Sequence, residues 1–409
     1  MHPENDRPNR RLPLSGVRVA NFGWIWAAPV LGHLMADMGA EVTKIESEAR
    51  VDMMRRSGIT LRDVPNQPFN FHNIHRSGQS ITVNLARPEA VELTLRFLQT
   101  CDVVVENYRP GTMERFGLGY QDIRRVRPDI IMVSLSAAGQ TGPLKNITTF
   151  GSSLGSLTGL DSIQGYYDNR PIPAGMALAD PYNGVSALFA VLTALRHRRE
   201  TGRGQLIDIS QWEATTCTAG APLLDWQMNR RLEGTRGNRD PAWAPHNVYP
   251  ARGEDRWIAI AVRTEEEWRA FRRVLGNPAW ARDPRFGDAY RRLRNQDDLD
   301  RRIARWTESR DNMEMTRELQ EAGVAAFPAM SLDELFHDRH FRERGSWTEV
   351  NHPFGVETVY GIHWKLSETP GRVRRAAPLM GQENDRIFGE LLGIPEDELR
   401  RLESEKVIY

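Results

Sequence analysis

The sequence has few cysteines, no net charge and no long apolar run. Its 409 residues include two cysteines, Cys101 and Cys217, which is too few for a disulfide framework. The 54 basic and 54 acidic side chains cancel, which argues against a protein that coats nucleic acid or an anionic membrane. No segment approaches the roughly 18–20 apolar residues of a membrane span, and residues 1–11 lack the apolar segment of a secretory signal. We therefore expect a cytoplasmic protein whose residues 1–11 form a disordered tail.

Several common cofactor motifs are also missing. After the first predicted strand, residues 23–29 read GWIWAAP, where a dinucleotide site would have G-x-G-x-x-G. There is no Walker A sequence, no H-E-x-x-H and no C-x-x-C, so neither nucleotide hydrolysis nor a zinc site has support. His72 and His75, like His337 and His340, are three residues apart but have no obvious third ligand. We interpret both pairs as core or surface histidines and predict no metal site.

The first half of the chain alternates short β-rich runs with helical patterns. This alternation is typical of βαβ units stacked around a parallel sheet. It predicts an α/β fold in which residues 12–224 form a large Rossmann-like domain. Residues 225–345 are rich in Arg and Trp and mainly helical, so we expect a smaller second domain there. Residues 346–409 regain strand-like patches, and we predict that they return to the large domain.

Asp180 is the most prominent candidate for chemistry. It precedes Pro181 and a long helical pattern, and proline favours the first helical position, so Asp180 is predicted to be the N-cap. Backbone N–H groups and the helix dipole would then stabilise the carboxylate. An ionised Asp180 would be a ready nucleophile or base. The alternative is a residue that only caps the helix.

A second candidate segment, residues 106–120, follows a predicted strand at its carboxyl end, where ligands bind in open α/β sheets. Arg109 and Arg115 carry the charge to hold phosphates, and Tyr108 and Phe116 offer rings for stacking. The alternative is a solvated loop followed by an ordinary helix start.

Six segments, taken in order, resemble the class III CoA-transferases, the family of formyl-CoA transferase and carnitine CoA-transferase. The resemblance runs from about residue 12 to residue 409 and is weakest in the predicted small domain. The segments that carry it are PLSGVRVANF, AAPVLGHLMADMGAEVTKIES, VVVENYRPGTMERFGLGY, SAAGQTGP, ALADPYNGVSALFAVLTALRHRRETGRGQLIDIS and LSETPGRVRRAAPLMGQEN.

This resemblance implies a mechanism centred on Asp180. The matching aspartate of the family attacks an acyl-CoA thioester, gives a mixed anhydride, and then carries CoA as an aspartyl thioester to an acceptor carboxylate. The resemblance also implies acyl-CoA and a carboxylic acid as substrates, no permanently bound cofactor, no nucleic-acid or membrane partner, and two interlocked subunits. Those subunits are either identical or a related pair.

The resemblance further implies CoA-binding positions. Trp26 and Ala27 match residues near the thioester, and Arg76 falls in a phosphate-binding loop. In that loop Gly78 and Gln79 replace two expected basic residues, so Arg50 or Arg55 is expected to supply charge instead. The positions that match nucleotide contacts, or lie beside them, are Asn107, Tyr108, Arg115 and Phe116.

Two other functions remain open. One is an α-methylacyl-CoA racemase, which resembles this family but uses a histidine and an aspartate as acid and base; here Phe150 stands at the histidine position and Gly151 follows it, and neither can move a proton. Many transferases carry an acidic residue where Gly151 stands, so the acyl pocket departs from the family pattern. The other alternative is a non-catalytic subunit of a hetero-oligomeric transferase.

The substrate prediction rests on resemblance to one branch of the family. GWIWAAP, ESEARVDMMR and HNIHRSGQSITVNL look most like the branch that includes benzylsuccinate CoA-transferases. This implies succinyl-CoA as donor and an aryl-substituted dicarboxylic acid as acceptor. Trp24 and Trp26 would offer an aromatic wall, with core packing as the alternative.

Overall fold

The computed structural model of the chain divides into two compact units. The first holds the described residues up to Gly159, together with Ala174–Gly220 and His340–Tyr409. The second holds Leu160–Pro173 and Ala221–Arg339. The predicted tail, apart from Arg11, lies outside the described residues. The structure describes residues 11–56, 68–167, 169–175 and 177–409.

The segment Leu160–Pro173 differs from the sequence prediction, which placed it in the large domain. It belongs to the second unit because its backbone bonds to residues far along the chain. Gly237 N–H donates to the Gly165 carbonyl over 3.0 Å, and the Thr235 hydroxyl donates to the Asn169 carbonyl over 2.6 Å. The other boundaries lie after Gly220 and Arg339, a few residues before the predicted positions 224 and 345.

A six-stranded sheet organises the first unit. All its neighbouring strands run parallel, in the order β3-β2-β1-β4-β5-β6. This confirms the predicted α/β fold. The central strands are rich in Val and Ile because helices cover both faces of such a sheet. The strands are β1 Arg18–Asn21, β2 Glu41–Glu46, β3 Gln79–Thr82, β4 Val103–Glu106, β5 Ile131–Ser136 and β6 Leu206–Ser210.

Two apolar layers lie against this sheet. One contains Ile81, Phe97 and Phe388, and the other contains Leu31 and Val191. The helices along this part of the chain are α1 Ala27–Asp37, α2 Phe69–His75, α3 Pro88–Leu98, α4 Thr112–Arg115, α5 Tyr120–Val126, α6 Gly151–Leu157, α7 Leu160–Ile163 (in the second unit), α8 Ala179–Thr201 and α9 Gln211–Thr216.

The second unit has its own core and a three-stranded antiparallel sheet. Buried Trp268, Phe271 and Phe286 pack together in that core. Its strands, in the spatial order β7-β8-β9, are β7 His246–Pro250, β8 Trp257–Ala261 and β9 Ala325–Ala329. The α-helices between residues 220 and 343 are α10 Gly220–Asn229, α11 Glu265–Val274, α12 Ala289–Arg294, α13 Gln296–Thr307, α14 Asn312–Glu321, α15 Leu332–His337 and α16 Arg339–Glu343.

The end of the chain lies on the first unit beside β3. The Thr82 hydroxyl donates to the Tyr409 carbonyl over 2.7 Å, and the Asn384 side chain accepts from the Thr82 N–H over 2.9 Å. No helix within the described ranges is long and apolar enough to cross a membrane. The elements here are the hairpin of β10 Trp347–His352 and β11 Gly355–Tyr360, a π-helix Asp385–Leu391, and α17 Glu396–Ser404.

Candidate active site

The strand order of the sheet reverses between β1 and β4, and the loops that follow these two strands meet there. In open α/β sheets, ligands bind in the crevice at such a reversal. Trp24 N–H donates to Asn107 Oδ1 over 2.8 Å, and Asn107 Nδ2 donates to the Trp24 carbonyl over 2.9 Å. Asn107, predicted to contact nucleotide, therefore ties the two loops together.

The aromatic side chains of these loops are packed against protein. Tyr108 lies edge-on to Trp24, with ring centroids 6.4 Å apart. The Arg50 guanidinium lies 4.8 Å from the centre of the Trp24 ring. Trp26 packs against the apolar layer that contains Leu31, and Ala27 is fully buried in it. Neither tryptophan gives support to an open aromatic wall.

Asp180 is the second residue of α8, which corrects the predicted N-cap. The helix begins at Ala179, two residues earlier than predicted, so Leu178 occupies the N-cap position. Among the described residues, no group donates a hydrogen bond to the Asp180 carboxylate or pairs with its charge. Burial therefore raises its pKa from 3.8 to about 6. The expected stabilisation of the ionised form is overturned because the carboxylate loses water without gaining donors.

Gly151, at the start of α6, makes room for this carboxylate. A Cβ atom at Gly151 would lie 2.2 Å from Asp180 Oδ2 and 2.4 Å from the Ala177 Cβ. The space of the missing side chain is thus taken by Asp180. The position where the sequence departs from the family pattern lies directly against the candidate nucleophile.

The start of α1 lies beside α8. A Cβ atom at Gly184 would be 2.8 Å from the Ala27 carbonyl and 2.7 Å from the Val30 Cβ, so the two helices touch there. Asp180 is four residues before Gly184 and lies on the same helical face. The structure thus brings Ala27 and Asp180, both predicted site residues, to one region.

A cavity of about 460 Å³ opens beside the carboxyl ends of β4 and β5. It has cationic, acidic and apolar walls, of which the cationic and apolar parts suit the phosphates and the base of a nucleotide. The Arg109 guanidinium is fixed near it by donating to the Asn146 carbonyl over 2.8 Å. Lys145, which sequence reasoning missed, is one of four lysines in the chain and lies two residues after the end of SAAGQTGP. Lining side chains include Glu106, Arg109, Met113, Tyr120, Met132 and Lys145.

Glu106 is a buried carboxyl group on the wall of this cavity. Burial raises its pKa to about 7, although hydrogen bonds from Ser134 and from the Tyr108 N–H oppose the rise. The N–H bond measures 2.7 Å. Glu106 therefore changes charge near neutral pH.

The remaining predicted phosphate contacts differ in accessibility. Arg115 is exposed, and its Nη2 donates to the Thr112 hydroxyl over 3.0 Å. Its neighbour Phe116 packs against the apolar layer that contains Phe97. Arg76 is buried and forms an ion pair with Asp37 over 2.8 Å. This placement gives no support to Arg76 as a phosphate ligand.

The two possible substitutes for the missing basic residues also differ. Arg55 is buried, with its guanidinium 2.6 Å from a Glu46 carboxylate oxygen. Arg50 is exposed, and its guanidinium lies over the Trp24 ring in the loop that follows β1. Of these two, Arg50 is the one available to a ligand.

One group of metal-ligand side chains occurs within the described ranges. It brings His352 and Glu357, on the C-terminal hairpin, to His72 on α2, with ligand atoms within 4.8 Å of one another. Sequence spacing missed these partners. His72 Nδ1 lies 2.7 Å from Glu357 Oε1, and the two imidazole rings stack at 4.3 Å. Stacked rings do not aim their nitrogens at one point, so the arrangement fits a hydrogen-bonded cluster.

The fold and the sequence both match known proteins. The family model of CoA-transferase family III matches residues 14–384. A solved CAIB/BAIF family protein from Brucella suis superposes with a TM-score of 0.87 and 25% identity, covering 93% of this chain and 100% of that one. The chain belongs to CoA-transferase family III and is an enzyme of the CoA-transferase class, as the six segments predicted.

Curated relatives extend over the whole chain. A succinyl-CoA–D-citramalate CoA-transferase from Chloroflexus aurantiacus is 34% identical over 405 residues, covering 99% of this chain and 100% of that protein. The alpha subunit of a succinyl-CoA–L-malate CoA-transferase from Chloroflexus aurantiacus is 32% identical over 400 residues, covering 97% of this chain and 93% of that subunit. Neither acts, by name, on benzylsuccinate, so that branch stays a prediction.

Proposed function

We propose that this chain moves CoA from succinyl-CoA to a dicarboxylic acid through covalent intermediates on Asp180. A carboxylate oxygen of Asp180 attacks the thioester carbon of succinyl-CoA, and CoA leaves as a thiolate. The Asp180 carboxyl and the succinyl group are then joined as a mixed anhydride. The thiolate then attacks the Asp180 carbonyl carbon and releases succinate, which leaves CoA bound to Asp180 as a thioester. The acceptor carboxylate repeats the two steps in reverse and leaves as its CoA thioester. Atoms and charges balance because each step exchanges one anionic nucleophile for one anionic leaving group.

The observation that carries this proposal is the state of the Asp180 carboxylate. It has no cationic partner and no donor within the described ranges, so its lone pairs are free to attack. A pKa of about 6 leaves it mostly ionised at pH 7.5 while making it more basic than an exposed aspartate. A residue that only caps a helix would instead accept backbone N–H bonds.

The CoA moiety is proposed to extend from this carboxylate to the 460 Å³ cavity. Arg109 and Lys145 supply positive charge for phosphates, and the side chains of Met113 and Met132 supply apolar area for the base. Exposed Arg115 adds a cation on the neighbouring helix. Asn107 and Tyr108 then act by holding the two loops rather than by reaching the nucleotide.

For the acceptor we propose a succinate that bears a substituent. Malate and citramalate, named for the relatives above, are succinates with small polar substituents, and benzylsuccinate carries an aryl group. Trp24 is already packed by Tyr108 and Arg50, which favours the small polar substituents. Initial rates with succinyl-CoA and L-malate, D-citramalate, benzylsuccinate or oxalate test this order. Faster transfer to oxalate or to benzylsuccinate would contradict it.

The partner we propose is a second copy of this chain. Four apolar side chains form an exposed stripe at helical spacing on α8: Tyr182, Val185, Phe189 and Leu192. Phe189, in the middle of α8, is 76% exposed, which is unusual for so large an apolar side chain. Light scattering of the purified chain is expected to give twice the monomer mass, and Phe189→Glu is expected to lower it. A related second subunit is the alternative, because one relative is by name an alpha subunit.

Trapping with hydroxylamine tests the nucleophile. The protein is mixed with succinyl-CoA, quenched with hydroxylamine, and its peptides are examined by mass spectrometry. An anhydride or thioester on Asp180 converts that residue to a hydroxamate, while Asp180→Asn stays unlabelled. An active enzyme whose Asp180 peptide carries no hydroxamate would refute the proposal.

A further inference from the structure

The loop from Gly23 to Trp26 is strained. Ile25 has a φ of +64°, in the left-handed region that a β-branched residue rarely adopts. Such a conformation persists only where the surroundings impose it, and strained residues of this kind cluster at functional sites.

A buried ion pair holds this loop from below. Lys44 Nζ lies 2.8 Å from Asp52 Oδ2 and donates to the Gly23 carbonyl over 2.9 Å. Asp52 Oδ1 accepts from the Ile25 N–H over 3.5 Å and from the Met54 N–H over 3.0 Å. Both charged side chains are almost completely buried. Burial pushes the pKa of Asp52 up, but the Lys44 ammonium and the N–H donors outweigh it, so the carboxylate stays ionised.

The loop leads directly to the candidate nucleophile. Trp26 is the N-cap of α1, and Ala27 touches α8 at Gly184, on the face that carries Asp180. A change in the path of Gly23–Trp26 therefore moves the start of α1 relative to Asp180. Displacements of about 1 Å at such a place can cost roughly 100-fold in rate.

An ion pair this deeply buried is a poor source of stability, since removing two charges from water offsets most of their attraction. Replacing such a pair by well-packed apolar side chains of similar volume is often neutral or stabilising. What apolar side chains cannot do is bond the Gly23 carbonyl and the Ile25 N–H at the same time. The geometry therefore indicates a positioning role.

We propose that Lys44 and Asp52 are positioning residues whose ion pair holds residues 23–26 in place and thereby sets the rate of acyl transfer at Asp180 rather than the affinity for CoA. This inference rests on the function proposed above. Its direct consequence is a change in kcat with little change in KM.

The test replaces both members together, Lys44→Met with Asp52→Leu, because either change alone would leave one buried charge unpaired. We expect a melting temperature near that of the natural chain, a kcat at least roughly 10-fold lower, and a KM for succinyl-CoA within about threefold. Hydrogen exchange at the amides of Gly23, Trp24 and Ile25 is expected to be faster. An unchanged kcat, a rise in KM alone, or unchanged exchange would overturn the proposal.

A matched control lies in the second unit. Arg292 and Glu265 form an ion pair at 2.7 Å, and Arg292 also donates to the Ala244 carbonyl over 2.9 Å. Arg292→Met with Glu265→Gln removes a comparable set of bonds and is expected to leave kcat unchanged. An equal loss of kcat in this control would show a general effect of unpacking and would count against the proposal.

A second variant covers the case in which the double replacement fails to fold. Ile25→Gly removes the cost of the positive φ and frees the loop. It is expected to fold normally and to lower kcat in the same way, and a natural kcat would overturn the proposal. Hydroxylamine labelling of the natural chain tests the proposed function separately from the positioning role of Lys44 and Asp52. If Asp180 carries no hydroxamate, its covalent role is refuted. Hydrogen exchange at residues 23–25 still decides whether the ion pair holds the loop.

Discussion

Replacing Asp180 by Asn is predicted to destroy activity and to stabilise the fold. The pKa of Asp180 rises from 3.8 to about 6 because burial disfavours its charge and no donor compensates. At about 1.36 kcal/mol per pH unit, this corresponds to roughly 3 kcal/mol of destabilisation once the carboxylate is ionised. Asp180 keeps partial contact with water, and solvent screening reduces the figure to about 1–2 kcal/mol. An uncharged Asn removes this cost.

The sign of the effect depends on pH. A carboxyl group whose pKa is raised by folding binds more protons in the folded state, so its destabilising effect is absent at low pH. The effect grows as pH rises from the unfolded pKa, about 3.9, and is complete above about 6. We therefore expect Asp180→Asn to raise the melting temperature by a few degrees at pH 7.5, and by about half as much at pH 5.

Asp397 supplies the control. It is the second residue of α17, as Asp180 is of α8, but it is exposed. Asp397→Asn is expected to change stability by less than about 0.5 kcal/mol at either pH and to leave transfer intact. Differential scanning calorimetry at both pH values and a succinyl-CoA transfer assay measure these quantities. A lower melting temperature for Asp180→Asn, a gain that does not shrink at pH 5, or retained transfer would refute the reasoning.

Three other changes test the site. Gly151→Ala places a Cβ atom against Asp180 Oδ2 and should lower kcat by at least roughly 10-fold. Gly175→Ala, whose Cβ meets no atom of the described residues within 4 Å, should leave kcat unchanged, and equal rates for the two variants would contradict the contact. Glu106 gains a negative charge as pH rises through about 7, so the KM for succinyl-CoA should rise between pH 6 and 8 and become flat in Glu106→Gln; the same pH dependence in the variant would contradict this role. Lys145→Ala should raise KM and weaken its dependence on salt, and an unchanged KM at low salt would exclude a phosphate contact.

The parallel sheet and its approximate strands are predictable from the sequence because short Val- and Ile-rich runs alternate with helical patterns. The family is predictable too, since six motifs occur in order. The boundary at Leu160–Pro173 is not, because it depends on hydrogen bonds such as the one between Asn169 and Thr235, 66 positions later. Local patterns carry no signal for such a pairing.

Some features of the candidate site can likewise be predicted from the sequence, whereas others depend on contacts that only the fold creates. Asp180 is identifiable from its motif, but the direction of its pKa shift depends on which donors surround it in three dimensions. Arg76 looks like a phosphate ligand in the sequence, whereas folding brings it to Asp37, 39 residues earlier. His72 likewise gains Glu357, 285 residues away. Lys145 had a signal that the sequence reasoning did not use: it lies two residues after the glycine-containing segment SAAGQTGP.

The most direct test of covalent catalysis by Asp180 follows ¹⁸O from the acceptor acid to this residue. The enzyme turns over succinyl-CoA with an acceptor acid whose carboxylates carry ¹⁸O, and the Asp180 peptide is weighed afterwards. If the acceptor attacks an aspartyl thioester, the bridging oxygen of the resulting anhydride remains on Asp180 when CoA takes the acyl group. The peptide then gains about 2 Da in one turnover, and later turnovers pass ¹⁸O to the released succinate. Rapid transfer of CoA with no ¹⁸O in Asp180 or in succinate would contradict the covalent mechanism.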